Sequence, residues 1–269
     1  AALLDSPTIF KFLCDPGSEV GPEQFSVAEN GDDNSVVDIN NAIKIMKKAQ
    51  PIGWTPLAQH TQDIKKAVEQ MKSQLLMDGK KVAIILATDG QPSDLGFEEA
   101  LRSLKDLPVW IVVRLCTDLG SVKEYYNGLD AELDMPLEVL DDFLGEAKEV
   151  AKCNSWINYA LPIHRSRELG YHDRLFDLID ERKLTIDEMR DFCQFLVGSD
   201  LPDPSIDFDV FENALNKALS KERLQWNPIK RKMMPWINVD KLKQVYNRVS
   251  RMQSFRKMVS RRSVTLKNA

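Results

Sequence analysis

The chain has 269 residues, 43% of them hydrophobic, and a net charge of −5 from 36 Lys and Arg against 41 Asp and Glu. This composition predicts a hydrophobic core in one large domain or two smaller ones. No apolar run reaches the ~20 residues of a membrane-spanning helix. The four scattered cysteines, Cys14, Cys116, Cys153 and Cys193, argue against disulfides or a zinc site and predict reduced thiols in a cytoplasmic protein.

The first elements are short. Residues 9–14 predict a strand, and 15–37 form a loop-rich stretch of Pro, Gly, Asp, Asn and Ser in which 25–28 predicts a short edge strand. Apolar residues at helical spacing then predict a helix over 38–50.

The loop 53–57, Gly-Trp-Thr-Pro-Leu, precedes a helical pattern over 56–77. Pro56 fits the first turn of this helix, and Asp78-Gly79 ends it. Thr55 has two interpretations of equal weight. Its hydroxyl caps the helix, as Thr commonly does, or it binds a ligand as an uncharged oxygen.

The stretch 80–94 organises the chain. Two lysines lead into an apolar run rich in β-branched residues, which predicts a strand buried on both faces in the centre of a parallel sheet. The run ends at Thr88-Asp89-Gly90. Asp89 is thereby predicted at the carboxyl edge of the sheet, where open α/β folds bind ligands and where a carboxylate suits a divalent cation. A simple Asp-Gly turn is the alternative.

Strands and helices alternate beyond this point. The pattern predicts helices over 97–107, 119–129 and 141–153 and strands over 109–116 and 136–140. Such alternation is typical of a doubly wound, mostly parallel α/β sheet with right-handed crossovers.

The Gly-x-Thr-Pro-Leu loop and the strand-end Thr-Asp-Gly together resemble the von Willebrand factor A (VWFA) domain family, over residues 1–153. Within this class, the chain looks like uncharacterised intracellular proteins of algae and other protists. The resemblance implies a Rossmann-like sheet and a metal-ion-dependent adhesion site (MIDAS) that holds Mg²⁺. The residues that match its metal ligands are Thr55 and Asp89.

One family motif is missing. Asp-x-Ser-x-Ser, which ends the first strand of the family and supplies the centre of its metal site, is not found before Thr55. Asp5-Ser6 is no substitute because it precedes a strand. We therefore expect the first strand to lie upstream or to be absent, and the metal site of this chain to be incomplete.

After residue 153 the strand signals disappear. Residues 154–227 predict a helical extension, with helices over 164–182, 185–198 and 207–224 and a further helix over 239–258. Residues 228–269 form a basic C-terminal tail with twelve Lys and Arg and one Asp, which leaves 24 basic and 40 acidic residues in 1–227. Such a tail favours an acidic protein surface as its partner, with nucleic acid or an anionic membrane as weaker alternatives.

Signatures of catalysis are absent from the sequence. It contains no Gly-rich phosphate loop and no Gly-x-Ser-x-Gly elbow, and its three histidines suggest no catalytic array. The cluster 164–167 is predicted to be surface or packing polar groups.

These observations predict a non-enzymatic protein–protein interaction or assembly module. An acidic side chain of the partner would complete the Mg²⁺ site. The alternative is a metal-free structural subunit of a larger complex, a scaffold anchored through the basic tail.

Overall fold

A computed structural model describes residues 6–20, 23–29, 35–133, 135–171 and 173–246. The chain forms two compact units. The first comprises Ala1–Val82, Asp89–Val109 and Leu119–Pro136, and the second comprises Ala83–Thr88, Trp110–Asp118 and Leu137–Ala269. Asp5 and the tail beyond residue 246 lie outside the described residues. The predicted domain boundaries at 153 and 227 stay a prediction.

The first unit begins with an antiparallel pair, β1 (Thr8–Lys11) and β2 (Gln24–Val27). Phe10 stacks on Phe25 across this pair, with ring centroids 5.0 Å apart. Four helices follow: α1 (Ser35–Lys48), α2 (Leu57–Met77), α3 (Phe97–Arg102) and α4 (Gly120–Glu132). Buried apolar residues of α2, α3 and α4 include Val68, Phe97 and Tyr126.

The apolar stripe of α1 is exposed instead of buried. Ile39, Ile43 and Met46 are 40%, 46% and 60% exposed, and Val36 and Val37 at the start of the helix are more than half exposed. The helical spacing was therefore predicted correctly, although this face does not belong to the core.

Three parallel strands form the sheet of the mixed α/β fold: β3 (Val82–Thr88), β4 (Val109–Leu115) and β5 (Leu137–Leu140), in the order β3-β4-β5. The prediction that β3 is a central strand buried on both faces is wrong. β3 lies at an edge of this sheet and its side chains alternate between half-buried and exposed. The central strand is β4, and its side chains are buried along almost its whole length.

The described part of the second unit continues with the helices α5 (Phe143–Cys153), α6 (Leu161–Glu168), α7 (Arg174–Glu181), α8 (Ile186–Val197) and α9 (Phe208–Leu219). A hairpin of β6 (Gln225–Asn227) and β7 (Lys232–Met234) follows, and residues 239–246 are helical. α8 begins with a capping box, in which Thr185 and Glu188 bond reciprocally, as their Thr-x-x-Glu spacing favours.

The single helix predicted over 164–182 is two helices. Gly170 separates them with φ +79°, and a Cβ atom there would lie 2.8 Å from the Cβ of Ala83. A left-handed backbone and a close approach to β3 both require glycine at this position.

Part of the predicted basic tail belongs to the core of the second unit. Trp236, Ile237, Leu242 and Tyr246 are all less than a tenth exposed and pack in the same cluster as Trp156. The residues that follow β7 are therefore needed to fold this unit.

Candidate functional sites

The two loops that carry the predicted metal ligands lie side by side in the first unit. The Thr55 backbone N–H donates to Ser93 Oγ at 2.7 Å, and the Ser93 N–H donates to the Thr55 carbonyl at 3.1 Å. Ser93 follows Asp89 by one short turn, so this reciprocal pair joins the loop before α2 to the loop after β3.

The capping interpretation of Thr55 is wrong. α2 has no cap from its preceding side chains; instead Asp94 accepts hydrogen bonds from the N–H groups of Ala58 and Gln59, at 3.1 and 3.0 Å. A carboxylate at a helix N-terminus satisfies unpaired N–H groups and complements the helix dipole. The Thr55 hydroxyl instead lies 3.4 Å from Cys14 Sγ.

Asp89 is exposed. The residue after it, Gly90, is held in place because its carbonyl accepts a 3.0 Å hydrogen bond from the buried Tyr126 hydroxyl. In the described part of the chain, no three His, Cys, Asp or Glu side chains are grouped so as to hold a metal ion. The Mg²⁺ site of Thr55 and Asp89 therefore stays a prediction.

Exposed apolar side chains lie on the same two loops. Ile52 is 64% exposed, Trp54 78% and Leu95 98%. Large apolar side chains seldom gather on a free surface unless they take part in binding. We call Ile52, Trp54 and Leu95 the loop face.

A second site is the cavity of the second unit, with a volume of about 590 Å³. It lies at the carboxyl end of β4 and beside the starts of α5 and α6. Its walls are formed by Arg114, Leu115, Cys116, Thr117, Asp118, Asp142, Phe143, Leu161, His164, Arg165 and Glu168. This is the position at which parallel sheets most often bind small molecules.

Glu168 holds the cationic side chains of this cavity. It is 4% exposed, with one carboxylate oxygen 2.7 Å from Arg114 Nε and 3.3 Å from His164 Nε2, and the other 2.6 Å from Arg165 Nη1. The contact from Arg114 to the first oxygen is a close ion pair rather than a well-aligned hydrogen bond. One buried carboxylate thus fixes two guanidinium groups whose side chains remain 41% and 54% exposed.

Behind the cavity lies a buried cation, Arg167, which is 4% exposed. Its guanidinium contacts Glu138 of β5 at 2.6 Å, Glu146 of α5 at 2.9 Å and Asp180 of α7 at 2.8 Å. Three carboxylates around one cation leave excess negative charge in a region of low dielectric. We call these four residues the Arg167 cluster.

Burial determines the protonation of this region. It raises the pKa of Glu146 to about 7, although Arg167 opposes the shift, and Asp180 adds to it. Burial also raises the pKa of Glu138 and of the Tyr159 hydroxyl. For His164, burial lowers the pKa, Glu168 opposes this, and the nearby arginines add to it.

A neutral His164 fits its contacts. Arg167 Nη1 donates to the Tyr159 hydroxyl at 3.4 Å, and that oxygen lies 3.1 Å from His164 Nδ1. We assign the Tyr159 O–H as donor to Nδ1, which leaves the proton of His164 on Nε2, facing Glu168. A continuous polar chain therefore joins the Arg167 cluster to the cavity.

Of the two alternatives predicted for 164–167, surface or packing polar groups, the second holds for His164 and Arg167, because both are buried. The spacing of His164 and Arg165 to Glu168, four and three residues, indicated contacts along one helix. Their contacts to β4, β5 and α7 had no local signal in the sequence.

No family model, curated protein or solved structure matches this chain. The resemblance to the VWFA family stays a prediction, carried by Thr55, Asp89 and the residues around them. None of the helices in the described part of the chain combines the length and apolar character needed to cross a bilayer.

Proposed function

We propose that the protein is an interaction and assembly module of the VWFA type, with a doubly wound α/β domain that binds a partner protein at the loop face. The observation that carries this proposal is the set of exposed apolar side chains on two hydrogen-bonded loops. The exposed stripe of α1, which ends shortly before Ile52, supports it as a second apolar surface of the same unit.

The proposed Mg²⁺ would be held by the Asp89 carboxylate and the Thr55 hydroxyl. Both are hard oxygen groups on loops joined through Ser93, and Asp94 is occupied at the start of α2. Mg²⁺ commonly keeps several waters and takes only one or two carboxylates from the protein. A partner carboxylate would then replace one of those waters, which makes binding specific for an acidic side chain.

The metal part is tested by titrating the full chain with Mg²⁺ in a calorimeter. We expect wild type to bind Mg²⁺ and Asp89→Asn to lose most of that heat, because the amide removes the charge at the same volume. Asp106→Asn is the control, an exposed carboxylate of the same unit. Equal heats from all three proteins would reject the metal site.

The interaction part is tested separately by quantitative affinity capture. We expect Trp54→Ser and Leu95→Ser to lose the same partner. Met77→Ser, which is 75% exposed, should keep it, because Met77 lies at the opposite end of α2, about 30 Å away along the helix. Retention of every captured protein by the loop-face variants would contradict the proposal, whatever the Mg²⁺ titration gives.

A second candidate, the metal-free structural subunit, is favoured by the hairpin of β6 and β7. Trp226 and Met233 pair across its strands and are 47% and 53% exposed. Lys230 and Arg231 of the connecting turn and Lys232 at the start of β7 are also exposed. Aromatic and cationic groups together suit an acidic protein surface.

The hairpin is tested with polyglutamate as the probe. We expect binding that EDTA leaves unchanged and that is lost when Lys230, Arg231 and Lys232 are all replaced by Gln. Deleting residues 228–269 would be a poor test because it removes core residues such as Trp236. Stronger binding to RNA or to anionic vesicles than to polyglutamate would reject the acidic-protein assignment.

A cytoplasmic location is part of the proposal. Its support is that Cys14, Cys116, Cys153 and Cys193 are all free thiols, as is usual in a reducing compartment.

A further inference from the structure

The cavity of the second unit presents two cationic groups that are already held in position. Glu168 contacts the Nε of Arg114 and one terminal nitrogen of Arg165. Each guanidinium carries five N–H donors, so most donors of both groups are not used by Glu168. Glu168 is buried, whereas the side chains of Arg114 and Arg165 are 41% and 54% exposed, so both can be reached by a ligand.

The group formed by Arg114, Arg165 and Glu168 is positively charged. Two arginines against one carboxylate leave a net charge of +1. Arginine groups recognise planar carboxylates and phosphates through paired N–H donors. A pair of arginines fixed in advance loses less side-chain entropy when it binds such an oxyanion than two mobile side chains would.

Other residues that line the cavity are acidic or apolar. Asp142 has one carboxylate oxygen engaged by the N–H groups of Leu144 and Gly145, and Asp118 is a second acidic lining residue. Phe143 and Leu161 add apolar surface. A bare anion would gain nothing from these residues, whereas a ligand that also carries hydrogen-bond donors or a cationic group would.

We propose that this cavity is a binding site for a small molecule that carries a carboxylate or phosphate, with Arg114 and Arg165 as its oxyanion-binding residues and Glu168 as the residue that positions them. The volume of about 590 Å³ is that of a pocket for a metabolite-sized ligand. This site is independent of the loop face and its proposed Mg²⁺.

Cys116 gives the site a reporter, since it lines the cavity and is exposed. We would measure its alkylation rate by iodoacetamide in the full chain, by mass spectrometry of the Cys116 peptide. Inorganic phosphate and succinate are the two probes, with chloride at equal ionic strength as the reference. The half-buried Cys14 of the first unit serves as an internal control.

We expect at least one probe to slow alkylation of Cys116 and to leave Cys14 unchanged. Protection by phosphate alone indicates a phosphate-bearing ligand, and protection by succinate alone indicates a carboxylate-bearing one. If neither probe protects Cys116 relative to chloride, the proposal is overturned.

Substitution of each arginine tests whether Arg114 and Arg165 bind the probe. Arg165→Gln should weaken the effective probe at least about tenfold, from the loss of one charge-assisted hydrogen-bonding group. Arg114→Gln should act similarly and serves as the second variant if the first does not fold. Arg190→Gln removes an arginine paired with Asp191 on α8, outside the cavity, and should bind as wild type does. Equal weakening by Arg190→Gln and Arg165→Gln would overturn the assignment, because the effect would then be one of net charge.

Discussion

The stability of the second unit should depend on pH through Glu146. This carboxyl is 2% exposed, its pKa is raised from 4.5 to about 7, and it contacts Arg167 and the backbone N–H of Asp141. A folded-state pKa above the unfolded one means that the folded protein binds the proton more tightly. Its contribution is therefore complete below pH 4.5 and is lost as pH rises through 7.

The magnitude follows from the two pKa values. A change from 4.5 to about 7, at 1.36 kcal/mol per pKa unit, corresponds to about 3 kcal/mol, most of it lost between pH 5 and pH 8. Glu146→Gln resembles the protonated carboxyl and does not titrate. Relative to wild type, this variant should therefore gain about 2.5 kcal/mol in the free energy of unfolding from pH 5 to pH 8.

Urea denaturation at the two pH values, followed by tryptophan fluorescence, measures this difference. Comparing the variant with wild type at each pH cancels the groups that titrate in both proteins. Glu188→Gln is the control, because the Arg182 contact lowers the pKa of Glu188 to about 2. The stabilisation by ionised Glu188 is present above its unfolded pKa and is lost only as pH falls through 2. The difference in the free energy of unfolding between Glu188→Gln and wild type should therefore be constant from pH 5 to pH 8. A constant effect of Glu146→Gln over the same range would refute the reasoning.

Three further predictions concern stability and use the same denaturation assay. Arg167→Met should cost about 3–5 kcal/mol at pH 7, because it leaves buried carboxylates without their cation, and the loss should shrink as pH falls; a loss that does not change with pH would contradict this. Gly170→Ala should cost more than Gly79→Ala: both have positive φ, worth about 1 kcal/mol, but only the first meets a neighbouring atom within 4 Å. Equal costs would contradict the close packing on β3. Asp94→Ala should cost about 1 kcal/mol as a lost helix cap, whereas Thr55→Ala should cost less because its hydroxyl does not cap α2; the reverse order would restore Thr55 as the cap.

Local patterns of the sequence predicted most of the secondary structure. The helix over 56–77 is present as Leu57–Met77, and the strand over 109–116 as Val109–Leu115. Apolar spacing and flanking Pro and Gly residues act within one turn or one strand, so a window of sequence contains the necessary information. The same holds for the capping box before α8.

The order of the strands was decided only by tertiary structure. The apolar runs of β3 and β4 are similar in the sequence, yet β4 is central and β3 lies at an edge. An apolar run indicates that a strand can be buried. Which strands lie beside it depends on pairing between segments that are distant in the sequence. The apolar stripe of α1 is a second example. Helical spacing of apolar residues predicts a helix with an apolar face, but it does not determine whether that face packs in the core or is exposed to solvent.

The sequence by itself determined the α/β alternation, the bounds of most helices and the two loops that carry Thr55 and Asp89. Only the tertiary structure placed Arg114 beside Glu168, surrounded Arg167 with carboxylates from β5, α5 and α7, and opened a cavity at the end of β4. The reason is physical. Backbone conformation follows from neighbouring residues, whereas a buried charge is tolerated only where packing brings its partners from remote parts of the chain.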